Sequence, residues 1–125
     1  MKRQSTKRRG ASAVEFALVA PVVLIFVLGL LEWSRFEMVR QVSASATFNA
    51  VREGTLPGAT TTDMETRAAE ILEVYFVKDA VTTATLTENE ATLQVEIPMS
   101  SNSFVLGKFF SEMTVEKTFT LARPQ

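Results

Sequence analysis

An ionisable side chain at the mouth of a long apolar run is the feature of this sequence most open to a chemical role. Glu15 stands directly before Phe16–Leu31, a run of sixteen residues without a charged side chain. A charge at the middle of a membrane helix costs about 2.5–3.5 kcal/mol on insertion scales, and less near an end. A carboxylate kept at that cost favours a function such as pairing with a cation. The alternative is that Glu15 only reaches the nearby lipid headgroups.

A basic tract and a single glycine precede this carboxylate. Five basic residues and no acidic residue lie before Gly10, whereas eight basic and fourteen acidic residues follow it. Positive charges beside an apolar segment stay on the cytoplasmic side of a membrane. Lys7, Arg8 and Arg9 are therefore predicted to form an orientation signal. The tract could also bind nucleic acid or anionic lipid, but its place beside the apolar run favours orientation, and we expect no nucleic-acid partner.

Composition excludes several kinds of chemistry. The chain has no cysteine and no histidine, which removes disulfides, thiol nucleophiles, zinc sites of the usual kind and histidine-based acid–base catalysis. The carboxylates, serines and lysines show no catalytic spacing, and no glycine-rich phosphate loop is present. Glu88, Asn89 and Glu90 offer too few ligands for calcium and predict a solvated turn. We expect no enzyme, no catalytic residue, no metal and no cofactor.

The apolar run has the length of a membrane span. As a helix, residues 11–31 would extend roughly 31 Å, close to the thickness of the bilayer core. A buried core helix is the alternative, but no other element is large enough to cover it. A cleaved secretory signal would have to use Ala44-Ser45-Ala46, which lies too far beyond the apolar run. We predict a cytoplasmic leader at 1–10, a transmembrane segment at 11–31 and the rest of the chain outside.

Three parts of the N-terminal half together resemble a known family. They are the stretch from Arg9 through Val14-Glu15-Phe16 to Leu18, the stretch from Leu31 to Arg35, and the closing Arg52-Glu53-Gly54. With the basic leader and the apolar run, they resemble the TadE-like pseudopilins, minor pilins of tight-adherence (Flp-type) pilus systems in bacteria. The resemblance covers residues 8–54. Residues 8–54 alone are also compatible with a type II secretion pseudopilin or a longer TadG-like relative.

The resemblance implies a processing site and an assembly residue. An inner-membrane prepilin peptidase would cut after Gly10, and Ala11 would become the mature N-terminus, where related pilins carry an N-methyl group. Independently of the family, a glycine between a flexible leader and a helix leaves the peptide bond unshielded. By the same resemblance, Glu15 would pair with the N-terminal amine of a neighbouring subunit and set the register between helices.

The implied function is that of a minor pilin or pseudopilin that takes part in pilus assembly. Its partners would be the prepilin peptidase, other pilins and the inner-membrane pilus machinery. Its place would be the bacterial inner membrane, with the N-terminus cytoplasmic and the head periplasmic, or an extracellular pilus. The alternative is an uncleaved single-pass protein whose extracytoplasmic head binds an envelope partner.

One long helix is predicted from about Ser12 to Glu53, with a kink at Pro21, which cannot donate to the carbonyl of Ala17. Its stalk, residues 32–54, carries two apolar stripes, although a helix covered by one small domain needs a single stripe. We predict that one stripe faces the head and that the stripe of small residues packs against another subunit. The bulky stripe is Trp33, Phe36, Ala44, Phe48 and Val51, and the small, subunit-packing stripe is Val39, Val42, Ala46 and Ala50.

The remaining residues, 55–125, predict a small α+β head that leans on the long helix. A capping box at Thr62–Glu65 starts a second helix that runs to about Asp79 and buries Tyr75 and Phe76. Alternating residues predict a β-hairpin over 81–97 and a third strand over 114–121. Residues 104–110 predict either a short helix or an exposed contact patch. The expected fold is α+β and pilin-like, with two helices and an antiparallel sheet of about three strands.

Overall fold

The computed structural model describes residues 5–124, with side chains from residue 10 onward. The side chains of Lys7, Arg8 and Arg9, predicted to orient the chain, lie outside the described part, as do residues 1–4. The expected α+β fold is confirmed. The elements are α1 (Ser5–Gly54), α2 (Thr61–Val74), β1 (Val81–Leu86), β2 (Glu90–Pro98), the 3-10 turn Met99–Ser101 and β3 (Thr114–Ala122).

Helix α1 begins at Ser5, earlier than the predicted start near Ser12. The basic residues before Gly10 are good helix formers, so the hydrogen-bond ladder extends through the glycine. The predicted boundary between leader and helix, just after Gly10, is therefore wrong. The helix also continues through Pro21, and the kink there stays a prediction. Gly54 is the last residue of α1. A Cβ at this position would meet the Met64 sulfur at 2.5 Å, so the packing there requires glycine.

The N-terminal half of α1 is bare. Among the described residues, α1 is the one helix long and apolar enough to cross a membrane. Its most apolar window has a mean hydropathy of 2.7, and none of that window is buried. Large apolar side chains along it are open, including Phe16 at 74% and Ile25 at 69%. The head therefore does not cover this segment, which argues against a buried core helix.

The sheet is antiparallel throughout, in the order β1-β2-β3. Val81 pairs with Glu96 and Leu86 with Ala91 in one ladder, while Glu90 pairs with Ala122 in the other. Alternate residues of β2 point into the core, as the two-residue period of a strand requires. These buried residues are Ala91, Leu93, Val95 and Ile97.

The small residues of the stalk line this core. Val39, Ala46 and Ala50 are fully buried and Val42 is 6% exposed, because α2, β2 and β3 pack on this side of α1. The prediction that these four residues form a subunit-packing stripe is therefore wrong. Small side chains let neighbouring elements approach the helix backbone closely. From the bulky stripe, Trp33 stays outside at 65% exposure.

The second helix differs from its prediction at both ends. Its capping box lies two residues earlier, where Thr60 Oγ1 accepts from the Asp63 amide over 3.3 Å and Asp63 Oδ2 accepts from the Thr60 amide over 2.8 Å. The helix ends at Val74, and Phe76 has a left-handed backbone with φ of 55°. This turn leads the chain away from the core, so Tyr75 and Phe76 are exposed rather than buried.

The burial of the small stripe can be tested by overpacking it. We expect Ala46→Leu to lower the free energy of unfolding of the head by about 1–3 kcal/mol, because the added atoms have no space between α1 and its neighbours. Ala44→Leu is the matched control, since Ala44 is exposed on the same helix. Urea unfolding followed by circular dichroism in detergent measures both. Equal stability of the two variants would contradict this packing.

Candidate functional site

The first residue after the apolar run binds the head. Glu32 is 5% exposed, and its Oε2 accepts from Ser103 Oγ over 2.6 Å and from the Phe104 amide over 3.3 Å. Its Oε1 accepts from the Leu106 amide over 2.9 Å and also from the Val105 amide. One carboxylate therefore satisfies the donors of a whole turn, residues 103–106, which we call the clamp loop.

The clamp loop holds Glu32 in its charged form. Burial raises the pKa of this carboxyl, but the hydrogen bonds from the Ser103 hydroxyl and from the backbone amides of the clamp loop outweigh burial, and the net pKa lies below its ordinary value. Hydrogen bonds to an ionised acceptor are stronger than those between neutral groups. The charge of Glu32 is thus compensated by backbone dipoles rather than by a cation.

One helical turn later, Arg35 binds the residue before the clamp loop and the turn after α2. Its Nε donates to the carbonyl of Asn102 over 3.0 Å. Its Nη1 donates to the Tyr75 carbonyl over 3.3 Å, and its Nη2 donates to the Phe76 carbonyl over 3.0 Å. The guanidinium also lies 5.6 Å from the centre of the Phe104 ring, a cation–π distance. A planar fork with five N–H donors suits several carbonyls at once.

Asn102 joins the two loops that Glu32 and Arg35 hold. Asn102 is buried, at 3% exposure. Its Nδ2 donates to the carbonyls of Lys78 and Pro98, each over 2.8 Å. Its Oδ1 accepts from the Lys78 amide over 2.8 Å. We call Glu32, Arg35 and Asn102 the clamp. Within the described part of the chain, no buried polar side-chain atom is left without a hydrogen-bond partner.

The predicted processing and assembly residues lie far from the clamp. Gly10, Ala11 and Glu15 are all exposed on the bare half of α1, and nothing in the described part of the chain lies within 4 Å of the position that a Cβ of Gly10 would occupy. Glu15 and Glu32 are seventeen residues apart, roughly 26 Å along a helix. The structure thus separates a bare segment, which carries the predicted sites, from a covered stalk, which carries the head.

Sequence reasoning gave the clamp residues no role. Glu32 and Arg35 stood in the stretch that carries the family resemblance, yet their partners lie between 40 and 74 residues further along the chain. One usable signal was present: the two charges are three residues apart and therefore share a helix face, directly after the apolar run. Asn102 offered no signal beyond its place in a polar loop.

Comparison with known proteins agrees with the resemblance. Residues 10–52 match the family model described as TadE-like protein. The match begins at Gly10 and includes Glu15, Glu32 and Arg35, but it stops before the head. No curated protein and no solved structure matches the chain. The TadE-like match and the long apolar helix fit a membrane protein related to the Tad pilus.

The role of Glu32 can be tested by removing its charge. We expect Glu32→Gln to lower the free energy of unfolding by about 1–3 kcal/mol at neutral pH, because an amide cannot accept from all the donors of the clamp loop. Glu37→Gln is the control, since the Glu37 carboxylate makes a 3.4 Å ion pair with Arg40 at the surface and such pairs contribute little. Urea unfolding measures both.

The difference in the free energy of unfolding between wild type and Glu32→Gln should depend on pH. A carboxyl whose pKa is lowered on folding stabilises the fold fully above its unfolded pKa, and this stabilisation is lost as pH falls through the folded value. The ordinary pKa is 4.5, so the difference should shrink at pH values below it. Asp63, whose pKa is also lowered by Thr60, is present in both proteins and does not affect the comparison. A difference that stays constant into acid would contradict a charged Glu32.

Proposed function

We propose that the protein is a minor pilin or pseudopilin of a tight-adherence pilus system. It lies in the bacterial inner membrane with its basic leader in the cytoplasm and its head in the periplasm, from where it enters the pilus or its machinery. The observation that carries this proposal is the bare apolar half of α1, none of whose most apolar window is covered by the head. Such a segment needs lipid before assembly and other helices after it.

Processing after Gly10 is supported by the surroundings of this residue. Gly10 is exposed, and no atom of the described residues lies within 4 Å of an added Cβ, so a prepilin peptidase has access to the bond. The bond lies within α1 and must leave the helix before it can be cut. Glycine lowers the cost of this opening by about 1 kcal/mol relative to alanine. Cleavage would release the leader and leave a positively charged amine on Ala11.

Glu15 would then act in assembly. It lies four residues after Ala11, on the same face of α1 and exposed. Pairing with the new amine of a neighbouring subunit would relieve the cost of a carboxylate in an apolar setting and fix the axial offset between two helices. In this proposal the chain is the substrate of a protease and a structural subunit, and it catalyses no reaction.

An uncleaved single-pass protein is the second candidate. The observation in its favour is the unbroken helix from Ser5 across Gly10, which makes the leader a continuation of α1. In that case the N-terminus stays at Met1, no amine forms beside Glu15, and the head alone carries the function.

Processing can be measured by co-expression with a prepilin peptidase. We expect wild type to yield a chain that begins at Ala11 and Gly10→Leu to keep its leader, because a bulky side chain shields the bond and strengthens the helix. Gly29→Ala is the control, since Gly29 lies in the same helix with equally open surroundings and should leave cleavage unchanged. The intact mass of the purified protein shows whether the leader is present. A wild-type chain that keeps Met1 would favour the uncleaved protein.

Assembly is tested separately with Glu15→Gln. We expect this variant to be cut like wild type but to co-purify with pili or pilus machinery about tenfold less, which corresponds to a lost interaction of about 1.4 kcal/mol. Glu37→Gln, outside the apolar run, should assemble normally. Normal incorporation of Glu15→Gln would show that this carboxylate does not set the register.

A further inference from the structure

We propose that the membrane-facing end of the head inserts exposed aromatic side chains into the headgroup–acyl boundary of the bilayer. The head would then be docked on the lipid surface instead of standing clear of it on a stalk. The inference rests on the membrane span of the proposed function and is independent of cleavage at Gly10. We call the surface involved the membrane-facing rim; it consists of Trp33, Phe76, Phe104, Val105 and Phe109.

The rim is unusually open for side chains of this size. Phe109 is 85% exposed, Phe76 81% and Phe104 66%. They come from two loops, one after α2 and one before β3, and Phe76 and Phe104 line one pocket beside Arg35. Monomeric proteins seldom expose large apolar patches without a partner.

The clamp fixes the rim at the level of the membrane surface. Phe104 and Val105 donate their amides to Glu32, the first residue after the apolar run, and the Phe76 carbonyl binds Arg35 one turn later. Measured along α1, these loops therefore lie within a few residues of the end of the span. With α1 upright in a bilayer, the rim meets the interface.

An apolar cavity extends this contact into the span itself. The cavity has a volume of about 150 Å³ and lies between α1 and the segment before β3. Gly29, which belongs to the predicted span, lines it together with Leu106, Phe110 and Met113. The segment before β3 thus reaches the depth of the apolar helix, and the rim is continuous with a surface that already faces lipid.

The residue types at the two ends of the head differ in the way that lipid contact requires. Lys78 and Lys108 are exposed among the rim loops, where their acidic neighbours are Asp79 and Glu112. Aromatic rings with lysines are typical of membrane interfaces, since the rings bury their faces and the amines reach the headgroups. The opposite end, where Gly54 approaches Met64 and Ala91, has exposed residues of both charges, the acidic Asp63 and Glu88 and the basic Arg52 and Arg67, so the two ends differ in their exposed aromatic rings and not in net charge. Lipid is therefore the occupant that fits the rim.

The chain has a single tryptophan, which allows a direct test by fluorescence quenching. The full-length protein is placed in phosphatidylcholine vesicles with or without bromine on the acyl chains, and the emission of Trp33 is the reference. In a Trp33→Phe background, Phe109→Trp reports on the rim. Leu56→Trp in the same background is the control, because Leu56 is 49% exposed in the turn after α1, at the far end.

We expect brominated lipid to quench the Phe109→Trp variant to the same extent as wild type and to leave the Leu56→Trp variant unchanged. An unquenched Phe109→Trp variant beside a quenched wild type would overturn the inference and leave the span intact. Emission that responds to the protein-to-lipid ratio but not to bromine would show a second copy on the rim, and would also overturn it. If wild type itself is not quenched, the span is not in the membrane, and the proposed function fails with the inference.

Discussion

The carboxylate of Glu32 and the guanidinium of Arg35 hold a small head on one side of a very long helix. Their partners are backbone groups of loops that would otherwise have unpaired donors and acceptors, so each side chain organises a loop while it anchors it. At the far end, the close approach of Gly54 to Met64 and Ala91 makes the second attachment. Between these ends, the small side chains of α1 complete a core that a three-stranded sheet and one short helix could not form alone.

This attachment divides α1 into two halves with different surroundings. The half after Glu32 is a structural part of the head, and its small residues are used up by packing within the chain. The half before Glu32 keeps its apolar side chains and Glu15 open. Any contact with other subunits through α1 must therefore use the bare half or the exposed side chains of the stalk, such as Trp33 and Phe48. The match to the TadE-like family spans both halves and ends at residue 52, two residues before the end of α1.

Local signals in the sequence predicted the elements well and their contacts poorly. Leu93, Val95 and Ile97 alternate with polar residues, a two-residue period that only a strand satisfies, and the structure has strand β2 at these residues. The two stripes of the stalk could not be assigned in the same way, because hydrophobicity alone does not say which of them has a partner. Thr60–Asp63 and Thr62–Glu65 both fit a capping box, and the chain uses the first. The partners of Glu32 lie 71–74 residues away, a distance at which no local pattern operates.

Amide hydrogen exchange on the full-length protein in lipid tests most directly whether the head is clamped at the membrane boundary. The amides of Val105 and Leu106 have no strand or helix to protect them and are held by the Glu32 carboxylate. We predict that they exchange at least about tenfold more slowly than the amide of Glu88 in the exposed β1–β2 turn, which corresponds to about 1.4 kcal/mol of protection. Exchange at Val105 and Leu106 as fast as at Glu88 would contradict the clamp and leave a head that is only tethered.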